Sequence, residues 1–176
     1  QSLNIFGDHS DVYACRQTGF AMLAETNPQE VMDLSPVAHL AAIEGKVPFI
    51  NFFDGFRTSH EIQKIEKWDY ADLKEMCNMD AVKAFREHAL NPEHPAMRGS
   101  HENGDVFFQH REACNSVYEA LPAVVKKYMG KINEKLGTNY DLFNYYGAED
   151  ADRVIIAMGS VCDVAEEVID YLTAKG

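Results

Sequence analysis

The sequence has 176 residues, enough for one domain with part of a second, and its 46% hydrophobic content predicts a chain that folds around an apolar core. Its 28 acidic residues against 16 lysines and arginines give a net charge of −12, which argues against nucleic acid and anionic membranes as partners. No apolar run approaches the ~20 residues that span a bilayer, and we expect no secretory leader. The four cysteines, at 15, 77, 114 and 162, are widely spaced, which indicates reduced thiols in a cytoplasmic protein.

The first third of the chain predicts an α/β crossover unit. Leu3–Gly7, Phe20–Glu25 and Val47–Phe53 are apolar runs of strand length. A helical pattern lies between the last two runs, and the connections on both sides are short. Strand, helix and strand in this order predict a parallel sheet.

The predicted crossover helix has clear start and stop signals. Asn27 is a capping residue and Pro28 fits the first helical position, while Gly45 ends the apolar pattern. Pro36 lies inside the pattern, so we expect a kink there, or a restart of the helix capped by Ser35.

The middle of the chain predicts short helices, followed by an irregular stretch. After Glu61 the pattern becomes helical, and Asp69 is placed to cap the segment YADLKEMC. The stretch Asn91–Glu112 contains prolines and glycines and follows neither period. We expect it to pack as a loop against another domain or subunit through its apolar cluster, Val106, Phe107 and Phe108.

Histidines and cysteines in this sequence predict no metal site and no nucleophile. The gaps between four histidines fit neither a helical face nor a zinc knuckle, and we interpret them as loop histidines: His88, His94, His101 and His110. Cys15 lies six residues after His9 but lacks a local orienting group, so we expect a small buried thiol.

The last third predicts one long helix and then a strand–helix unit. A helix over 121–136 has inward positions at Val125, Tyr128, Ile132 and Leu136, with Gly137 as its stop. The run RVIIAMGS predicts a buried strand. The helix after it begins with a capping box of Ser160 and Asp163, and we prefer this interpretation to a phosphate site because acidic residues follow the glycine. One strand and one helix predict the first βα unit of a second α/β domain that is cut off.

Ionisable side chains follow two of the predicted strands. The turn Gly7–Asp11 contains His9, and the turn after Val47–Phe53 contains Asp54 and Arg57. Parallel strands bring such turns to one edge of a sheet, where ligands bind. An equally supported structural interpretation is that Arg57 pairs with Asp54 or Glu61 and that His60 begins a helix. Residue chemistry alone leaves both interpretations open.

Four strings in the chain resemble the pyruvate:ferredoxin (flavodoxin) oxidoreductase family: SLNIFGDHSDVYACRQTGFAML, VPFINFFDGFRTSHEIQKIE, NPEHPAMRG and RVIIAMGS. The resemblance runs almost end to end. It implies that residues 1–148 are the later part of a domain that binds the pyrimidine end of thiamine diphosphate. It further implies that residues 149–176 begin a transketolase-C-terminal-like domain. Because the first residue is Gln1, we also expect the natural start to lie upstream.

The resemblance also implies a function for the whole protein. Members of the family oxidatively decarboxylate pyruvate to acetyl-CoA and pass electrons through iron–sulfur clusters to ferredoxin or flavodoxin. The implied cofactors are thiamine diphosphate and magnesium, completed by another domain, and the implied partners are coenzyme A, the remaining domains and a second subunit of a homodimer. The family's threonine, glutamate and arginine for this chemistry lie upstream, and its cluster cysteines lie downstream. We therefore expect no catalytic residue and no cluster in this chain, and only a rim of the cofactor site at His9, Asp54 and Arg57.

Two alternatives remain at the level of function. The chain is a non-catalytic structural or assembly module, or it is the equivalent piece of an oxidoreductase for a different 2-oxoacid.

Overall fold

The structure is a computed structural model that describes residues 2–96, 99 and 101–176. In this part of the chain two strands and eight helices follow in the order α1 Ser10–Cys15, β1 Ala21–Ala24, α2 Pro28–Gly45, β2 Phe49–Phe52, α3 Phe56–Ser59, α4 Tyr70–Met76, α5 Met79–Glu87, α6 Gly104–Ala113, α7 Asn115–Leu136 and α8 Val161–Thr173. None of the described helices is both long and apolar enough to cross a membrane.

The predicted crossover unit is confirmed. β1 and β2 pair in parallel with Ala21 opposite Phe49, and α2 connects them. The chain is therefore α/β, and the carboxyl ends of both strands lie at one edge of the sheet.

Helix α2 begins where the sequence predicts but does not restart at its proline. The Asn27 side chain accepts a hydrogen bond from the Glu30 N–H (3.0 Å), so the predicted cap is confirmed. The expected cap at Ser35 is wrong. Its hydroxyl donates to the carbonyl of Val31 (2.6 Å), and α2 continues through Pro36 to Gly45.

The core forms where α2 packs against α7. Both helices bury residues at the same helical spacing: Leu34, Val37, Ala38 and Ala41 on α2, and Val125, Tyr128, Met129 and Ile132 on α7. The helices approach closely at Gly45, where a β-carbon would lie 2.5 Å from Leu121 Cδ1.

Three of the four inward positions predicted for α7 are confirmed, whereas Leu136 is 39% exposed. The helix also begins at Asn115 rather than 121, because burial of this face offsets the hydrogen bond that Pro122 cannot donate.

The middle of the chain is more helical than predicted. The cap at Asp69 is confirmed, since its carboxylate accepts from the Ala71 N–H (3.0 Å). The expectation that Asn91–Glu112 is irregular throughout is wrong, because α6 forms at Gly104–Ala113, with an acid in its first turn and His110 and Arg111 in its last turn. Met97, Arg98 and Ser100 of this stretch lie outside the described residues.

Two predicted strands do not form. Leu3–Gly7 is a bend whose carbonyls at Ile5 and Phe6 accept from the backbone N–H groups of Phe56 and Arg57 (both 3.1 Å). The run RVIIAMGS leaves Ile155 and Ile156 92% and 89% exposed. A strand needs a neighbour to pair with, and in the described part of the chain neither run pairs with β1 or β2 in the sheet. Helix α8, which follows the second run, forms as predicted.

Candidate functional site

The carboxyl edge of the sheet brings together the two turns that the sequence singled out. Asp54 follows β2, and its backbone carbonyl accepts from the Asp8 N–H (2.8 Å). His9 lies beside the same strand end, with its ring edge against Phe52 at 5.6 Å between centroids. Gly55 permits this approach, because a β-carbon there would lie 3.1 Å from the carbonyl oxygens of Ile5 and Phe6. The predicted meeting of His9 and Asp54 at one sheet edge is therefore present.

The carboxylate of Asp54 is already engaged. Its Oδ2 accepts from the backbone N–H of Ser160 (3.0 Å) and from the Ser160 hydroxyl (2.7 Å), just before α8. The predicted capping box is wrong, because the Ser160 side chain makes no cap within its own helix. Its hydroxyl bonds instead to a residue 106 positions earlier.

Arg57 is close to Asp54 in sequence but does not take part in the hydrogen bonds of Asp54. Its side chain is exposed, and in the described part of the chain its guanidinium has no ion pair and no hydrogen bond. The suggested pairing of Arg57 with Asp54 or Glu61 is absent from these contacts. His60 does not begin a helix either, since it caps the carboxyl end of α3.

A buried acid lies at the end of the other strand. Glu25 follows β1 directly, is 0% exposed, and within the described part of the chain neither carboxyl oxygen has a hydrogen-bond partner. Burial raises the pKa of Glu25 to about 8; the Asn51 side chain opposes this rise and the charge of Glu30 adds to it. The carboxyl is therefore mainly protonated at neutral pH. Sequence analysis missed this group because it treated Glu25 as the end of an apolar run.

Further acids surround this edge. Glu30 accepts from the Thr26 N–H (2.7 Å), yet its pKa is raised, first by burial and then by the charges of Asp163 and Glu166 on α8. The same surroundings raise the pKa of the Cys162 thiol, again with burial as the main cause. The potential at the edge is therefore negative.

This arrangement does not fit the diphosphate of a thiamine cofactor. A phosphate group needs cations or free helix N–H groups. Here Asn27 caps α2, Asp54 caps α8, and the neighbouring side chains of Glu30, Asp163 and Glu166 are acidic. We derive no chemical step through the diphosphate at this edge.

Other ionisable clusters are scattered. Among the described residues, no group of three or more His, Cys, Asp or Glu side chains is arranged to hold a metal ion. His110 bonds to Glu102 (2.5 Å) and His94 contributes to a local bridge with Asn91. Cys15, the last residue of α1, is half-buried rather than buried as expected. The absence of metal and catalytic residues stays a prediction.

A separate cavity of about 200 Å³ lies beside the second turn of α2. It is lined by Asp33, Trp68 and Lys135 together with their neighbours. Lys135 is bonded to Asp72 and Glu75 (both 2.9 Å), and the Asp33 carboxylate accepts from a tyrosine hydroxyl. Asp33, Asp72 and Lys135 of its lining thus have partners within the fold.

Comparison with known proteins places this chain in a family. Residues 1–130 match the family model described as pyruvate flavodoxin/ferredoxin oxidoreductase, thiamine diphosphate-binding. The chain is 62% identical over 175 residues to the pyruvate-flavodoxin oxidoreductase of Enterobacter agglomerans and 55% identical to the pyruvate:ferredoxin oxidoreductase of Moorella thermoacetica. It is 50% identical over 174 residues to the pyruvate dehydrogenase [NADP(+)] of Cryptosporidium parvum.

Each alignment covers 99% of this chain but only 15%, 15% and 9% of these three relatives. The chain thus spans about one-seventh of the length of the first two. With a family model that covers most of the chain and relatives identical at half or more of the aligned positions, the chain belongs to the pyruvate flavodoxin/ferredoxin oxidoreductase family, in its thiamine diphosphate-binding domain.

Proposed function

We propose that this chain is part of a thiamine-diphosphate-dependent oxidoreductase that oxidatively decarboxylates pyruvate to acetyl-CoA and passes electrons to flavodoxin or ferredoxin. The observation that carries the proposal is 62% identity over 99% of the chain to a pyruvate-flavodoxin oxidoreductase. The parallel crossover unit supports it, since α/β folds bind ligands at the carboxyl edge of such sheets.

The relatives also indicate which half of the reaction this segment serves. Their names give three different acceptors, namely flavodoxin, ferredoxin and NADP(+), yet all three keep the segment at 50–62% identity. What their names share is pyruvate. We therefore assign the segment to the pyruvate side of the enzyme and the choice of electron acceptor to other parts of the protein.

Cofactors and partners follow from the same proposal. The whole enzyme uses magnesium with thiamine diphosphate and carries iron–sulfur clusters in other domains, with coenzyme A as the acyl acceptor. It works as a cytoplasmic homodimer, and the four free cysteines of this chain agree with a reducing compartment.

Within the chain, residues 1–148 belong to the pyrimidine-binding domain and 149–176 open the next domain. The family match ends at residue 130, which agrees with a division after that point. His9, Asp54 and Arg57 contribute to the rim of the cofactor site. Arg57 is the accessible member, whereas Asp54 acts through the segment that it binds.

Steady-state assays of the full-length protein test this proposal. We expect coenzyme A-dependent reduction of flavodoxin or ferredoxin with pyruvate, and slower turnover with bulkier 2-oxoacids. Arg57→Gln should raise the KM for thiamine diphosphate several-fold with little change in kcat, while Arg86→Gln, an exposed arginine in the last turn of α5, serves as the control. Faster turnover with another 2-oxoacid would favour an oxidoreductase for that substrate.

An assembly module is the second candidate for the chain on its own. The apolar side chains of α8 favour it, because they are about half exposed and suit a contact with another domain. For the isolated 176-residue chain we expect no CO2 release from pyruvate, because both proposals place the catalytic groups elsewhere in the protein. CO2 release by the pure chain would contradict both the module and the assignment of catalysis to upstream residues.

A further inference from the structure

The first turn of α8 lacks a cap of its own. Helices begin with unpaired N–H groups, which a side chain at the N-cap position usually satisfies. Ser160 occupies that position but makes no such bond. Instead, Asp54 at the end of β2 accepts from both the backbone N–H and the hydroxyl of Ser160, at 3.0 and 2.7 Å. The cap therefore comes from another part of the fold.

The backbone before α8 is shaped for this contact. Gly159 is buried and has φ +83°, a conformation that favours glycine. A β-carbon there would lie 3.0 Å from Asp54 Oδ2 and 3.1 Å from His9 Nε2. Any other residue would be strained at this φ and would force the side chains of Asp54 and His9 to shift, so glycine suits this close approach.

A second bond joins α8 to the other strand end. Asn27 caps α2 with its side-chain oxygen, and its amide nitrogen donates to Asp163 Oδ2 (3.1 Å) in the first turn of α8. Residues that follow β1 and β2 thus both form hydrogen bonds with the start of α8.

We propose that the carboxyl edge of the sheet is the docking surface for the first turn of α8, and that Asp54 is a helix cap shared between the two parts of the chain. The carboxylate lies where the N-terminal end of a helix attracts negative charge, and its bonds are partly buried. Asp54 is then a positioning residue: it fixes where the C-terminal segment begins relative to the sheet.

Like charges oppose this docking. Glu30 on α2 faces Asp163 and Glu166 of α8, and the three carboxylates lie close enough to interact. Because Asp163 and Glu166 are exposed, salt screens this repulsion more than it weakens the partly buried hydrogen bonds of Asp54. Docking should therefore tighten as ionic strength rises.

The reactivity of Cys162 reports the docked state. This thiol is half-buried in the first turn of α8, whereas Cys114 is exposed and lies just before α7. Alkylation of the full-length protein with iodoacetamide, followed at peptide level by mass spectrometry, gives the rate at Cys162 relative to that at Cys114. Labelling of a protected group follows the fraction of open molecules.

We expect Asp54→Ala to raise the relative rate at Cys162 roughly tenfold, the usual effect of losing a helix cap. Ser160→Ala, which changes no charge and leaves the backbone N–H bond, should give a smaller rise. Asp54→Asn keeps an oxygen acceptor and should recover most of the protection, although it removes the same charge as Asp54→Ala. Added salt should lower the wild-type rate at Cys162.

Two results would overturn the proposal. Unchanged labelling of Cys162 in both Asp54→Ala and Ser160→Ala would mean that these bonds do not hold α8. Equal acceleration by Asp54→Asn and Asp54→Ala would mean that the effect is the charge near the thiol and not the cap. If Asp54→Ala does not fold, hydrogen exchange of residues 161–164 in Ser160→Ala decides the question in the same direction.

Discussion

Helices α7 and α8 both repeat apolar residues at helical spacing, but only the apolar face of α7 is buried. On α7, Val125, Tyr128 and Ile132 are 6%, 1% and 1% exposed because α2 packs against them. On α8, Val164 and Val168 are 59% and 48% exposed. Periodicity thus predicts a helix and its apolar face, but burial depends on whether a partner element is present. The relatives, which contain several times more chain, offer room for such a partner to α8.

The largest expected effect is a matched pair of isoleucine truncations in these two regions. In the 176-residue chain, Ile132→Ala should lower the free energy of unfolding by about 2–5 kcal/mol, because it removes a fully buried side chain and leaves a cavity. Ile155→Ala, at a position that is 92% exposed, should change it by less than about 0.5 kcal/mol. Urea unfolding followed by circular dichroism measures both.

The same pair sharpens the comparison in the full-length protein. If other elements cover the segment before α8, Ile155→Ala becomes destabilising there and approaches the cost of Ile132→Ala. If Ile155→Ala has the same small effect in the 176-residue chain and in the full-length protein, this segment stays exposed in both, and its apolar side chains do not pack against another element.

Much of the fold was predictable because its signals are local. The cap at Asn27, the cap at Asp69 and the stop at Gly137 each act within one helical turn, and all three are present. Strands are different, since a strand forms only when a neighbour supplies its hydrogen bonds. That is why the run containing Ile155 and Ile156 predicted a strand that the described chain does not form.

The candidate site was predictable in its position but not in its contacts. The sequence predicted that His9 and Asp54 meet because it treated Leu3–Gly7 as a strand parallel to the one before Asp54. That strand does not form, and backbone hydrogen bonds such as the one from Asp8 to Asp54 bring the turn to the edge instead. The bond from Ser160 to Asp54 spans 106 residues, and nothing in either local sequence marks it. Glu25 was missed for a related reason, because burial of a charged residue depends on the whole fold rather than on its neighbours in sequence.

A matched pair of acids extends the comparison to the sheet edge. The carboxylate of Glu44, between α2 and α7, accepts hydrogen bonds from Lys127, Tyr128 and Asn78. Burial acts to raise the pKa of Glu44, but these donors outweigh burial and lower the pKa to about 2. At the sheet edge, burial outweighs the opposing effect of the Asn51 side chain and raises the pKa of Glu25 to about 8. Replacing each by glutamine should therefore change stability in opposite directions.

The signs follow from proton linkage. Glu25 keeps its proton in the folded state up to about pH 8, while the unfolded chain releases it near 4.5, so wild-type stability falls between these values as pH rises. Glu25→Gln should therefore be neutral near pH 4.5 and stabilising by about 2–4 kcal/mol at pH 8.5. Urea titrations at several pH values test this, and a constant difference between the two proteins would contradict it.

Glu44 has the opposite linkage. Its folded pKa is depressed, so its contribution is present above pH 4.5 and is lost as pH falls towards 2. Glu44→Gln should lower stability by about 1–3 kcal/mol at pH 7, and this deficit should shrink on acidification. The same titrations serve as the measurement, and a deficit that grows at low pH would contradict the assignment.

The smallest effect is expected from a pair of tyrosine hydroxyls. Tyr128 donates to Glu44 Oε2 (2.5 Å) in the core, and Tyr146 donates to Asp170 Oδ1 (2.6 Å) on the exposed side of α8. Each bond has a charged acceptor, so the two differ mainly in burial: Tyr128 is 1% exposed and Tyr146 44%. Tyr128→Phe should cost about 1–2 kcal/mol, because it leaves a partly buried carboxylate with one donor fewer. Tyr146→Phe should cost less than about 0.5 kcal/mol, because water replaces the lost hydroxyl.

Urea unfolding of the two variants at pH 7 compares them directly, and 1 M salt should reduce only the effect at Tyr146. Equal costs at the two positions would show that the acceptor charge, and not burial by α2, decides what such a bond contributes.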